Sequence, residues 1–400
     1  MRRIVLDELQ YEGVLLDCET DIAAVISEFG LVDLTPARTG FTVRPRGRVG
    51  AIRVGDLQIE VTPKDKVGIA SVFFLLGYAA NPGFIPPDVI AEHDDDVFSA
   101  IAEALTRQAE RALAGGVHRG YVSVDEAART VRGRIRMSDQ ALRHFGSMYP
   151  IEVTFDDFSP DVAENRILLT ALRAATRIPR MRRELLARIA GLEVFLDGVR
   201  PLGRGEALPR WVPTRLNERY HGALHLAELV LKHQSLRPGP AAKYDAAGFV
   251  VDMAKVFEDF VGTALREALV SHPGVVHTQY KTRLDENLPG VSPVTLIPDV
   301  VLTLDGRPLM VADAKYKAAS GSGEYPNADK YQMLAYCTAL GLKRAWLVYA
   351  QGGEPVTRRV RNSEVEIVEW PLDLSVAPAA ILKSVAALAA GATSNATSPM

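Results

Sequence analysis

Residues 296–317, LIPDVVLTLDGRPLMVADAKYK, constrain the fold more tightly than any other stretch. One apolar run ends at Leu304, a second begins at Pro308, and the pair Asp305-Gly306 lies between them. Asp-Gly between two strand-like runs predicts a hairpin, because a tight two-residue turn needs residues that tolerate positive φ. Both runs are apolar enough to be buried, yet they carry Asp299, Asp313 and Lys315. A carboxylate buried ionised and without a partner costs several kcal/mol, so the three residues need a common explanation.

Strand geometry supplies part of it. Side chains alternate, so Asp313 and Lys315 share a face and Ala314 points the other way. The place of Asp299 depends on the turn. A two-residue Asp305-Gly306 loop pairs Leu304 with Arg307 and sets Asp299 opposite Ala312, on the wrong face. A three-residue loop, or a bulge, shifts the pairing by one and brings Asp299 onto the face of the other two. An irregular hairpin of this kind is predicted.

A divalent cation would remove the cost of the buried acids. Mg2+ takes hard oxygen ligands, keeps several waters, and is commonly held by one or two carboxylates while a phosphate completes its shell. Asp299 and Asp313 fit that chemistry, with Lys315 placed to orient a water or to steady negative charge developing on a phosphate. An Asp-x-Lys motif on its own reads more simply as an ion pair, so the neighbouring elements matter. Before the hairpin, VDMAKVFEDFVGTALREAL predicts a core helix with Met253, Val256, Phe257, Phe260, Val261, Ala264 and Leu265 on one stripe and Glu258 at its border. After it, NADKYQMLAYCTALG predicts a helix with Gln332 and Tyr336 on one face, followed by the strand RAWLVYA.

The remainder of the 400-residue chain is ordinary in composition, 48% hydrophobic and 24% charged, and long enough for two or three domains. The fold class expected is α/β in a multidomain α+β arrangement. Residues 1–65 read as a β-rich domain, 66–240 as a mostly helical region, 241–388 as an α/β domain with a mixed sheet, and 389–400 as a disordered tail of small and polar residues. Cys18 and Cys337 are far apart and form no disulfide framework, which suggests a reducing cytoplasm, and no segment reads as an export signal or a membrane span. A net charge of −3 argues against a generally basic nucleic-acid binder. Two local patches remain: Arg44, Arg46 and Arg48 alternate in TVRPRGR, and Arg132, Arg134 and Arg136 in VRGRIRM. If strands carry them, each trio lies on one face, either solvated or set against DNA or an acidic partner. His221 and His225 have a zinc-compatible spacing, but no third ligand is evident and they read as ordinary helix residues.

The order of elements, with Pro298-Asp299, Asp313-Ala314-Lys315, and Gln332 and Tyr336 spaced as Q-x-x-x-Y, resembles the PD-(D/E)xK nuclease fold. FVVDMAKVFEDFV, FDDFSPDVAENRILLTAL, RGRIRM and RLNERYHGALHLAELVL extend the resemblance to the McrC family, the nuclease subunit of McrBC-type systems that restrict DNA with modified cytosine. It runs from roughly Leu57 to Gln351. The resemblance implies an endonuclease that binds Mg2+, or Mn2+ in its place, through Asp299 and Asp313, with the Ala314 carbonyl as a further ligand. It implies that Lys315 serves the water or phosphate, that Glu258 binds metal through water, and that Gln332 and Tyr336 position the substrate backbone or support Lys315. Its implied partners are double-stranded DNA and a McrB-like AAA+ GTPase or ATPase hexamer. The chain has no GxxxxGK[ST] loop, so a motor would be another polypeptide. Two other readings are a non-catalytic adaptor that activates such a motor and a stand-alone RecB-like exonuclease.

Overall fold

The computed structural model describes residues 2–63, 67, 69–80, 82, 97–178, 181–203, 205–238, 245–286, 290–316 and 327–394. It is a mixed α/β fold. The chain packs as two compact units, one made of Met1–Val97 with Pro238–Met400 and the other of Phe98–Arg237. The first unit is therefore discontinuous in sequence.

Within the first unit, strands Arg2–Asp7, Leu57–Thr62, Val49–Val54 and Asp245–Val251 lie side by side in that order. The outer pair Arg2–Asp7 and Leu57–Thr62 is parallel and the other two pairings are antiparallel. Alternation puts Leu6, Leu57, Ile59, Val61, Ile52 and Val54 on one face, where they form a core with Ile22, Val25, Ile26 and Phe29 of helix Thr20–Phe29. The opposite face is not apolar. Arg53 donates to Gln58 at 2.6 Å, Arg3 donates to both oxygens of Glu60, and Arg53, Gln58 and Glu60 are all buried. Gly50 is required by close approach: its φ is 137° and a Cβ there would lie 1.9 Å from the Phe249 carbonyl oxygen. Helix Ile69–Ala80 connects this sheet to the rest of the unit, packing Phe73 against Phe249, and Phe74 and Tyr78 against Phe260.

The second sheet of this unit has the order Val275–Thr278, Val300–Leu304, Arg307–Lys315, Arg344–Tyr349, Glu366–Pro371, Val356–Arg359. Its two central pairings are parallel and the outer ones antiparallel. Helix Asn327–Leu340 covers one face, where Met333, Tyr336 and Cys337 pack on Val301, Val311, Leu347 and Tyr349. Helix Met253–Ala268 lies on the other, with Gly262 against Val300. Asp252 caps that helix by accepting from the Lys255 backbone N–H at 3.2 Å.

The expected tail needs correction. Helix Pro378–Ser394 continues into it, with Ala389 and Ala392 buried. A run of alanines lacks turn signals and has the highest helix propensity, so small side chains there extend the helix when one stripe can be buried. Residues 395–400 lie outside the described residues, as does the acidic run Asp94, Asp95 and Asp96.

The second unit is built from helices Val97–Leu113, Ala163–Thr176, Arg183–Phe195 and His221–His233 and a three-stranded antiparallel sheet. A buried polar group locks the helices: Asn165 donates to the His118 and Pro160 carbonyls, and Asn217 donates to Glu164 at 2.9 Å. The arginine trios do not form the expected single faces. Pro45 ends strand Phe41–Pro45 and Gly47 turns the chain at φ 66°, so Arg46 pairs with Asp33 and Arg48 donates to the Gly30 carbonyl. Gly133, at φ 72°, likewise separates Arg132, which stacks on Phe155, from Arg136, which is committed to Asp125, Asp139 and Glu152. Period-2 reasoning fails here because glycine and proline interrupt both strands. No helix among the described residues is long and apolar enough to cross a membrane.

Candidate active site

The hairpin places the site. Asp305 and Gly306 both have positive φ, 50° and 76°, as a two-residue turn demands, and Leu304 pairs with Arg307. Unbroken, this register would face Asp299 away from Asp313. It breaks between Leu302 and Thr303: Thr303 pairs with Pro308 but Leu302 pairs with Met310, leaving Leu309 as an extra residue. Pro308 has no N–H to give the ladder, and such positions favour bulges. Beyond the bulge Val300 pairs with Ala312, and the next step sets Asp299 across from Asp313.

Asp299, Asp313 and Lys315 thus share the face covered by helix Asn327–Leu340. The Ala314 backbone N–H donates to Asp299 Oδ2 at 2.8 Å. Lys315 Nζ forms an ion pair with Asp313 Oδ2, and that oxygen is fully buried with no well-aligned hydrogen bond of its own. Asp313 is 1% exposed, so its charge has almost no help from water. Burial, then the neighbouring Asp313, raises the Asp299 carboxyl well above its ordinary range. Burial also raises Asp313, and burial followed by Asp299 raises Glu258. Burial opposes charge on Lys315, but Asp313, Asp299 and Asp329 outweigh it and hold the ammonium above its usual value.

Glu258 turns toward the site: Gln279 Nε2 donates both to Glu258 Oε1 and, at 3.0 Å, to Asp299 Oδ1, while Lys255 pairs with Glu258 at 3.2 Å. Gln332 donates to Tyr336 Oη at 2.7 Å, and Tyr336 donates to the Ile297 carbonyl at 3.3 Å, just ahead of Asp299. Sequence reasoning missed two residues. Asp329 is buried in the first turn of its helix, accepts from Tyr349 Oη at 3.5 Å, and acts on both Asp313 and Lys315; an acid at a helix start reads as dipole compensation and gives no other signal. Gln279 lies in no motif. His221 hydrogen-bonds Asn217, and His221 and His225 each lie against the Trp211 ring.

Among the described residues no three or more His, Cys, Asp or Glu converge to cage an ion by themselves. Magnesium does not ask for that: two carboxylates with water and a phosphate suffice. A buried and a half-buried acid that repel each other, the buried one paired with an ammonium, are a donor set suited to such a cation.

Fold and site together define a two-unit α/β protein in which Asp299, Asp313 and Lys315 meet on a bulged hairpin. Residues 43–350 match the family described as McrBC 5-methylcytosine restriction system component. The chain belongs to that family. Over 98% of its length, and 99% of the other chain, it superposes with TM-score 0.61 and 19% identity on a chain from a half-complex of a tetradecameric Thermococcus gammatolerans assembly of McrB AAA+ hexamers with bound McrC. A chain of the Thermococcus gammatolerans McrBC complex matches more distantly, at TM-score 0.43 and 21% identity over 67% of this chain and 88% of that one. No curated protein matches the sequence.

Proposed function

We propose that this chain is the endonuclease subunit of a McrBC-like restriction complex, cutting double-stranded DNA with Mg2+ at a PD-(D/E)xK-type centre and stimulating the nucleotide hydrolysis of a McrB-type AAA+ partner. One observation carries the hydrolytic part: the bulge at Leu309 shifts the hairpin register so that Asp299 joins Asp313 and Lys315 on one face. Family membership and a fold shared with an assembly that holds McrC on McrB hexamers support the partnership. So does the lack of a nucleotide-binding GxxxxGK[ST] loop in this chain.

In this reading Asp299 and Asp313 hold the ion, with the Ala314 carbonyl as a further oxygen and Glu258 at the outer edge. Mg2+, when bound, neutralises phosphate charge and lowers the pKa of its water. Asp299 is oriented by the Ala314 N–H. Lys315 presents its ammonium to the phosphate oxygens as negative charge develops on them, or orients the attacking water. Tyr336, aligned by Gln332, fixes the segment before Asp299. Asp313→Ala tests the reading in a complex reconstituted with the partner. Loss of cleavage with partner nucleotide hydrolysis still stimulated is expected; unchanged cleavage refutes the nuclease assignment and leaves an adaptor. Little cleavage by the chain alone separates this reading from a stand-alone exonuclease.

A further inference from the structure

Gln279 touches two of the three carboxylates at the centre although it belongs to no recognised ligand set. It follows strand Val275–Thr278, and its backbone is left-handed at φ 53°. Its N–H donates to the Asp299 carbonyl at 2.9 Å, and the next N–H, from Tyr280, donates to the Pro298 carbonyl at 3.0 Å. In a flat strand consecutive N–H groups point to opposite sides, so two in succession reach the same neighbour only because Gln279 turns the chain. That turn also directs its amide to Asp299 Oδ1 and Glu258 Oε1. A left-handed backbone is uncommon for glutamine, which lacks the freedom of glycine and the local hydrogen bonding of asparagine. Gln279 is exposed, so packing in a core does not hold it there.

We infer that Gln279 is a positioning residue of the centre, whose amide locks Asp299 and Glu258 in the relation that receives a divalent cation. The inference rests on the proposed hydrolytic role of the site. Asp299 has a donor on each oxygen, Ala314 on Oδ2 and Gln279 on Oδ1, and each oxygen keeps a lone pair for an ion. A neutral donor suits this position. Lysine would bring a charge that competes with the cation, and glutamate would add a further repelling carboxylate.

Gln279→Gly separates side chain from backbone, because glycine accepts the left-handed turn without strain but has no amide. The full chain is titrated with Mn2+ by calorimetry, without DNA, beside the wild type, Asp313→Ala and Gln279→Asn, and each is melted in EDTA. Expected for Gln279→Gly is an Mn2+ affinity about 10–100-fold weaker with an unchanged or higher Tm, the scale found when groups that orient metal ligands are removed. Gln279→Asn, which keeps the amide, recovers part of the affinity. Binding that Asp313→Ala abolishes but Gln279→Gly leaves intact overturns the role of Gln279 alone. Absence of Mn2+ binding by the wild type overturns this inference and the metal-dependent reading together.

Discussion

The Ala314 backbone N–H donates to Asp299 Oδ2 at 2.8 Å, so the first acid of the centre is tied to the strand that carries the second. That bond exists because Leu309 is an extra residue in its strand. Deleting Leu309 restores the regular register and sends Asp299 to the opposite face, since a one-residue slip reverses every side chain beyond it. The expected variant keeps its far-UV circular dichroism but binds no Mn2+ in calorimetry and does not cut DNA. Retained binding would show that the bulge is incidental.

Acidity provides a second handle. The Asp299 carboxyl is raised from an ordinary value near 3.8 to about 6 by burial and by Asp313. A raised folded-state pKa means that the folded state keeps a proton the unfolded chain has released. This contribution to stability is whole below about pH 4 and is lost as pH rises through about 6. In EDTA, the part of the thermal stability that depends on this acid should fall across that window, and Asn at 299 should remove the dependence. Mg2+ should raise Tm at pH 7.5 and have less effect at pH 5, where a proton occupies Asp299.

In the proposed metal-dependent mechanism Lys315 and a cation would compete for Asp313, because the ammonium already pairs with Asp313 Oδ2. Lys315→Met should therefore bind Mn2+ more tightly than wild type while cleavage by the reconstituted complex falls ~10²–10³-fold, the usual loss when one group that stabilises developing charge is removed. Its Tm in EDTA should drop, since Asp313 is left buried without its partner. Weaker metal binding in this variant would contradict the competition.

Phe260 is fully buried and meets Phe74 and Tyr78 edge to face at 5.4 and 5.5 Å. Phe260→Ala should cost about 3–5 kcal/mol in denaturant unfolding, the range for a buried phenylalanine removed from a packed core. Phe260→Leu, which keeps most of the volume, should cost far less.

The hairpin, the core stripe from Met253 to Leu265 and the irregularity that brings Asp299 to Asp313 were legible because burial of charge and strand periodicity leave few solutions. The site's supporting residues were not. Gln279 depends on a left-handed backbone that no local pattern announces, since glutamine is not a residue that signals positive φ. Asp329 reads as a helix-start acid and becomes part of the centre only when its helix packs over the sheet. Among the arginines, Gly47 and Gly133 were visible as residues, but the turns they make were not.

Strand Val49–Val54 is buried along its length, and Asp245–Val251, which closes one of its sides, is encoded on the far side of the inserted unit. During translation the amino-terminal sheet must therefore wait, one edge open, while the whole insertion leaves the ribosome. A nascent chain stalled before residue 245 would present a sticky ladder to its neighbours on the polysome. Slow codons or chaperone capture in that interval would govern how much protein reaches the native state.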